Sequence, residues 1–506
     1  MARGSNRATF LESLIYTGYL PVEVPPTVTA KYFAKFCRSE YAYLKGEQSN
    51  LIKQTTKYDT FTAPRTANGR RNLAIVNPLG QLGLSLVLTH NRARISKLIL
   101  RSGTSFYDTN EDSRRRRAFA GLDFRKWDKE AARLCSDHAV LLKADISRFF
   151  YTAYTHSIPW AVIGKEKVKD WLAAKPKRLK SHWSSLIDFA LQSCQSRETF
   201  GIPVGPDTSR IVAEILLAGV EADRTFKDQL VGGRAIRLMD DFLIGFQDER
   251  EAHMALTTLR SALWRFNLQL NEEKTSVGPS RLHFREMWKN DFDGLSIADE
   301  NTARQQRGIY RLVELTLHSC ADARSGAPAS WACRRLAELR NTSRNFPLVL
   351  ETMLRLARDF PSCLSHVAEF LINNQKRCRD EAVKRQIESW LRYMLRTHLR
   401  HGHDFETSWA LVVAGVLRIP IKKSDLVELK KLPSSIVFAM LGLLRERKLL
   451  KVPLSTWKWK AAVKKSGVLG EYWLPYYEAV RRKWTLDKKM IAAVTKHSIL
   501  GKMLTA

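Results

Sequence analysis

The seven cysteines, Cys37, Cys135, Cys194, Cys320, Cys333, Cys363 and Cys378, include no Cys-x-x-Cys pair. An odd, dispersed set argues against a disulfide framework and a zinc finger, and fits reduced thiols in a cytoplasmic protein. Long apolar runs are missing too. The longest, near Ala410 to Leu417, is too short to span a bilayer, and no signal peptide is visible, so no membrane partner is expected. Acidic residues are scarce: 51 Asp and Glu stand against 83 Lys and Arg, a formal net charge of +32. Such an excess points to a polyanionic partner, nucleic acid above all. It is uneven, since residues 301–506 carry 38 Lys and Arg against 17 Asp and Glu.

What is present is enough for a large folded protein. With 506 residues and 44% hydrophobic content the chain can bury a substantial core, divided over two or three domains. Strand patterns fill the first 300 residues. Arg70-Arg71-Asn72-Leu73-Ala74-Ile75-Val76-Asn77 alternates and stops at Pro78, and Val140 to Ala144 reads as a buried strand ending in Asp145. Ala235-Ile236 with Leu238-Met239, and Phe242 to Phe246, read as two short strands joined at the pair Asp240-Asp241. Adjacent carboxylates repel each other, so an acid pair at the tip of an apolar hairpin makes most sense if a divalent cation neutralises it.

Between these acids lies Gly201-Ile202-Pro203-Val204-Gly205-Pro206-Asp207-Thr208-Ser209-Arg210, a Gly/Pro loop opening a helix with Ile211, Ile215 and Ala218 on one face. Ala252, Ala255, Leu256, Leu259, Leu263 and Phe266 predict a helix under the sheet, followed by Leu268 to Thr275 with Lys274. Beyond residue 300 apolar positions recur every three or four residues, as at Leu348, Leu350, Leu354 and Leu356, which predicts an all-α region. Aromatics among cations, including Trp459, Tyr472, Trp473, Tyr477 and Trp484, could stack on bases or pack a core. His401-Gly402-His403-Asp404 could ligate a metal, but without a second ligand cluster nearby it reads first as a loop or helix cap.

In their order, the strand-end Asp145, the Gly/Ser loop-helix, the double Asp and the late Lys resemble motifs A, B, C and D of the reverse-transcriptase palm. Asp145-Ile146-Ser147-Arg148-Phe149-Phe150, the segment Thr155 to Trp160 and Gly201 to Ser209 are most similar to bacterial defence-associated, abortive-infection reverse transcriptases. Gly402 to Glu406 with Trp409, and Tyr472-Trp473-Leu474 with Tyr477-Glu478, resemble that group's C-terminal region. The resemblance implies an α+β reverse-transcriptase fingers and palm domain over 1–299. A basic all-α domain, HEAT-like in general character, follows over 300–506.

It implies an RNA-directed DNA polymerase in antiphage defence, using dNTPs and two Mg²⁺ ions held by Asp145, Asp240 and Asp241. Lys274 would be a proton donor or charge partner to pyrophosphate, or a surface residue in a turn. Phe150 would be the gate excluding a 2′-hydroxyl, with Phe149 in the core. Arg71, or Arg70 beside it, would hold the triphosphate. Gly205 to Ser209 would let backbone approach the nascent pair, because Gly lacks a Cβ. The partners implied are an RNA template or noncoding RNA and the DNA product, with protein priming from a Tyr hydroxyl and homo-oligomerisation. Leu238 and Val204 depart from the family, which usually has Tyr and Gln there. Two rival readings are an RNA polymerase of the same palm fold and a non-catalytic nucleic-acid-binding protein.

Overall fold

Strand pairing in the computed structural model follows the apolar alternation. The structure describes all residues except 1, 66–68, 102, 112–117, 123, 283–286, 298–301, 324, 340–343, 428–433, 452–458, 486 and 506. Arg114 to Arg117, Lys458 and the expected division between 299 and 300 lie outside the described residues, as do the side chains of Trp459 and Lys460.

Strands β1 (Asp59–Pro64) and β2 (Arg70–Ile75) form an antiparallel hairpin with Asp59 opposite Ile75 and Pro64 opposite Arg70. Pro78 then opens the helix Pro78–Leu100, where the Asn77 side chain accepts from the Leu79 N–H and the donor that Pro78 lacks is not missed. A second small pair joins β3 (Tyr107–Glu111) and β4 (Phe119–Leu122).

The main sheet has β5 (Val140–Asp145), β6 (Ala235–Leu238), β7 (Asp241–Phe246) and β8 (Ser276–Pro279) in the order β6-β7-β5-β8, all antiparallel. A period of two splits its residues between faces. Leu142, Ala144, Phe242, Ile244 and Phe246 join the large core with the helices Asp207–Glu221 and Glu249–Arg265. Leu141, Ile236 and Leu243 face the other way, into a small cluster with Ala131 and Leu134 of the helix Phe124–Asp137. Asp145 and Asp241 fall in the second set, on the thinly covered face.

The sequence predicts one buried stripe on the helix Asp207–Glu221, yet almost its whole circumference is buried. It lies inside the core because it packs on the helices Ser157–Ile163, Pro78–Leu100 and Glu249–Arg265 at once.

From Thr302 onward the described elements are helical, with one isolated bridge between Ile421 and Leu450. Successive helices Thr302–Asp322, Ala327–Ala337, Phe346–Asp359, Leu364–Asn373 and Glu381–His401 run 21, 11, 14, 10 and 21 residues, without a constant unit length. These helices share the core of the first 300 residues. The Trp473 indole N–H donates to Ile75 O, the Asn77 amide to Val468 O and the Trp409 indole to Glu23 O. Of the described aromatics considered for base stacking, Trp473 is committed to packing. Trp473 and Tyr476 are buried, and Tyr472, Tyr477 and Trp484 are half-buried. The Trp484 ring fills the space over Gly442, where a Cβ would meet it at 2.1 Å.

Gly219 shows how tightly the helices behind the main sheet approach. A Cβ there would lie 2.4 Å from Ala161 Cβ and 2.6 Å from its Cα. Gly219→Ala, although the better helix former, should destabilise the fold by about 1–3 kcal/mol, because the neighbouring backbone must move. Urea unfolding of the pure proteins measures it, and a neutral or stabilising effect would show that the two helices part easily.

Candidate active site

The register of β5 on β7 sets Asp145 directly opposite Asp241. Two residues, Met239 and Asp240, turn the chain from β6 into β7, and Met239 has φ 57°, the left-handed conformation this kind of tight hairpin needs at its first central residue. Asp240 is thereby held beside Asp241 at the sheet end. On the far side of Asp145, the Asn271 N–H donates to Asp145 O at 2.8 Å and the Ser147 N–H to Gln269 O at 2.8 Å. This locks the segment that carries Lys274 against β5. The Lys274 ammonium lies 2.9 Å from Asp145 Oδ2.

Three carboxylates and one ammonium thus share one place. Burial and the neighbouring Asp240 and Asp145 push Asp241 up to about 6, while Lys274 and Lys143 oppose the rise. Burial and Asp145 also raise Asp240, against a lowering by Lys274 and Arg65. Hard oxygen donors under mutual repulsion, with one side of the sheet thinly covered, fit a divalent cation such as Mg²⁺.

An ion cluster missed in the sequence supports the hairpin. Arg237 is completely buried on β6; its guanidinium donates to Glu214 Oε1 and Oε2 at 3.0 and 2.9 Å, to Glu221 Oε1 at 2.5 Å and to Met239 O at 2.9 Å. Burial opposes the guanidinium's charge, and the two carboxylates overcome it, holding its pKa above the ordinary arginine value. The signal was present: Glu214 and Glu221 sit two turns apart on an apolar helix, and Arg237 interrupts an apolar strand.

Phe149 is buried and Phe150 half-buried, their rings edge to face at 5.4 Å, and Phe150 O accepts from the Ile202 N–H. Gly205 has φ 128°, and a Cβ there would strike Pro21 Cγ at 2.5 Å. A close N-terminal segment is thus one reason for glycine at that position. The Ser209 side chain is buried near the start of the helix Asp207–Glu221.

Arg70 and Arg71 on β2 are divided by strand alternation. Arg70 is held by Glu406 through two hydrogen bonds of 2.7 and 2.9 Å. Arg71 is more exposed and lies 3.9 Å from a Glu23 carboxylate oxygen. Arg65, which sequence reasoning passed over, is the hairpin arginine whose charge reaches Asp240. Nothing in its local sequence marked it, because that proximity depends on where the fold sets the end of β1 relative to Asp240.

No family model matches the sequence, and no curated protein matches it. Among solved structures, apo telomerase from Candida tropicalis aligns at 11% identity over 67% of this chain and 68% of that one, with a TM-score of 0.33. Telomerase from Candida albicans in complex with a fragment of telomeric RNA aligns at 11% identity over 71% and 68%, with a TM-score of 0.32.

The raised Asp241 pKa has a consequence for stability. Burial and the neighbouring carboxylates push the carboxyl up to about 6, above the ordinary aspartate value, so the native state binds its proton more tightly than the unfolded chain does. Stability from this group is therefore present at low pH and lost as pH rises from about 4 through 6. Without divalent ions, Asp241→Asn should gain roughly 3 kcal/mol over wild type at pH 7–8 and little near pH 4. Urea midpoints measured in chelator across that range check this, and a difference independent of pH would contradict it.

Proposed function

We propose that this protein is a nucleotidyltransferase of the reverse-transcriptase type that extends a nucleic-acid 3′ end with deoxynucleotides. The observation that carries the reading is the placement of Asp145 opposite Asp241, with Asp240 adjacent and Lys274 on Asp145. Two Mg²⁺ ions, when bound, would make the 3′-oxygen nucleophilic and neutralise the departing pyrophosphate. Asp145 and Asp240 would be the principal ligands and Asp241 a further carboxylate beside them. Lys274 would give charge or a proton to the leaving group. Arg65, at the end of β1, would meet the triphosphate more directly than Arg71. Phe150, half-buried beside the Gly201–Ile202 backbone, would lie under the sugar and exclude a 2′-hydroxyl.

The net charge of +32 supports a polyanionic template and product. Within this reading, and by the motif resemblance, the protein acts in bacterial antiphage defence, either copying an associated RNA or polymerising without a template. Protein priming and a homo-oligomer belong to the same proposal, as does the HEAT-like character of the C-terminal helices.

Asp240→Asn should keep the fold and reduce incorporation of labelled dNTP in Mg²⁺ by about 100-fold or more, since a metal-bound transition state loses several kcal/mol of charge stabilisation. Activity within a few-fold of wild type would remove the assignment. Phe150→Ala should raise the ratio of rNTP to dNTP incorporation, and an unchanged ratio would make Phe150 a packing residue only.

A further inference from the structure

A second constellation includes none of the three carboxylates of the sheet. The helix Glu381–His401 ends at Gly402, which has φ 65°, and the chain re-enters a helix at Asp404–Val416. His398 in the last turn of the first helix and Glu406 in the first turn of the second therefore converge on His403 between them. In sequence this turn reads as a cap without further ligands. In the fold His398 and Glu406 supply them.

His398 Nδ1 and His403 Nδ1 lie 3.0 Å apart, and one ligand atom from each of His398, His403 and Glu406 can be chosen so that all three fall within 4.8 Å of one another. Two imidazole lone pairs aimed at each other repel unless a proton or a cation lies between them. Nitrogens sharing a tetrahedral Zn²⁺ at about 2.0–2.1 Å would sit about 3.3 Å apart, close to the separation seen. His398 and Glu406 are 7% and 1% exposed, so the geometry is held by packing.

We propose that His398, His403 and Glu406 form a binding site for a divalent transition metal, with Zn²⁺ the ion whose preference for imidazole and carboxylate they match. Arg70 does not block it. A carboxylate offers about four lone-pair positions, of which the two hydrogen bonds from Arg70 use two. Arg70 then acts as the outer partner that orients a ligating carboxylate, a common arrangement around bound metals. A cavity of about 600 Å³, lined also by Arg65, Asp359 and Ser362, opens beside the three side chains and leaves room for water as a further ligand. Imidazole ligands favour this site for Zn²⁺ or Co²⁺ over Mg²⁺, so it is chemically distinct from the all-carboxylate site. The metal would fasten the turn between two C-terminal helices to the β1–β2 hairpin through Glu406 and Arg70. Binding there does not depend on polymerase activity.

The test uses the full chain, stripped with chelator and kept in excess Mg²⁺ to satisfy the carboxylates of the sheet. Titration with Co²⁺ should give the visible absorption of a nitrogen-ligated, near-tetrahedral ion, displaced by about one equivalent of Zn²⁺ per chain. His403→Gln and Glu406→Gln should each weaken Zn²⁺ binding by at least about tenfold. His403 is half-buried, and the amide oxygen left by Glu406→Gln would still accept from Arg70, so both variants should fold. As a check independent of variants, Zn²⁺ but not Mg²⁺ should raise the unfolding temperature of the wild-type chain above its value in Mg²⁺ alone. No Co²⁺ spectrum, or binding unchanged in both variants, would overturn the proposal. So would stabilisation by inorganic phosphate and not by Zn²⁺, which would make the cavity an anion site.

Discussion

Mutual repulsion among Asp145, Asp240 and Asp241 is the constraint around which the main sheet is organised. The β5–β7 register forces Asp145 and Asp241 together, and the two-residue turn adds Asp240. Burial raises the two carboxyls of the hairpin instead of relieving them. The fold gives up stability to hold these groups in place, which is expected where a site must be preorganised for a cation. Lys274 offsets part of that cost from one side, and Arg65 acts on Asp240 from the end of β1.

Beneath the site the answer is rigidity. The Arg237 guanidinium ties β6 to both glutamates of the helix Asp207–Glu221 and to the carbonyl of the turn residue Met239. Thr104 and Ser105 add hydroxyl donors to Glu221 and Glu214. Every charge in this buried group is matched by hydrogen bonds. Loss of one partner would leave an uncompensated buried ion, at a cost of about 3–5 kcal/mol. The tip of the acid-bearing hairpin is therefore anchored to a helix that is buried on almost every side.

What could be read in the sequence was what is local. Strand ends, the acid pair and the Gly/Pro loop all announce themselves within a few residues, and their order along the chain relates them to one another. Arg237 was passed over because its partners lie 16 and 23 residues away on an element whose orientation the sequence does not state. Gly205 suggested a close approach to substrate, and the structure adds Pro21 from the N-terminal segment as a close neighbour. The C-terminal helices read as helices, but their attachment was not visible. Arg70 meets Glu406, Thr62 meets Asp404 and the Ser435 N–H meets Asp59, all more than 300 residues apart. These pairs make the helical region part of the support for the β1–β2 hairpin, next to which Arg65 acts on Asp240.

The central claim is that the three carboxylates hold divalent ions for nucleotidyl transfer. Mn²⁺ binding followed by electron paramagnetic resonance, in the full chain with dNTP present, addresses it most directly. The account predicts about two Mn²⁺ per chain that Mg²⁺ displaces, with at least one lost in Asp145→Asn. Mn²⁺ occupancy that is absent, or unaffected by Asp145→Asn, would contradict it.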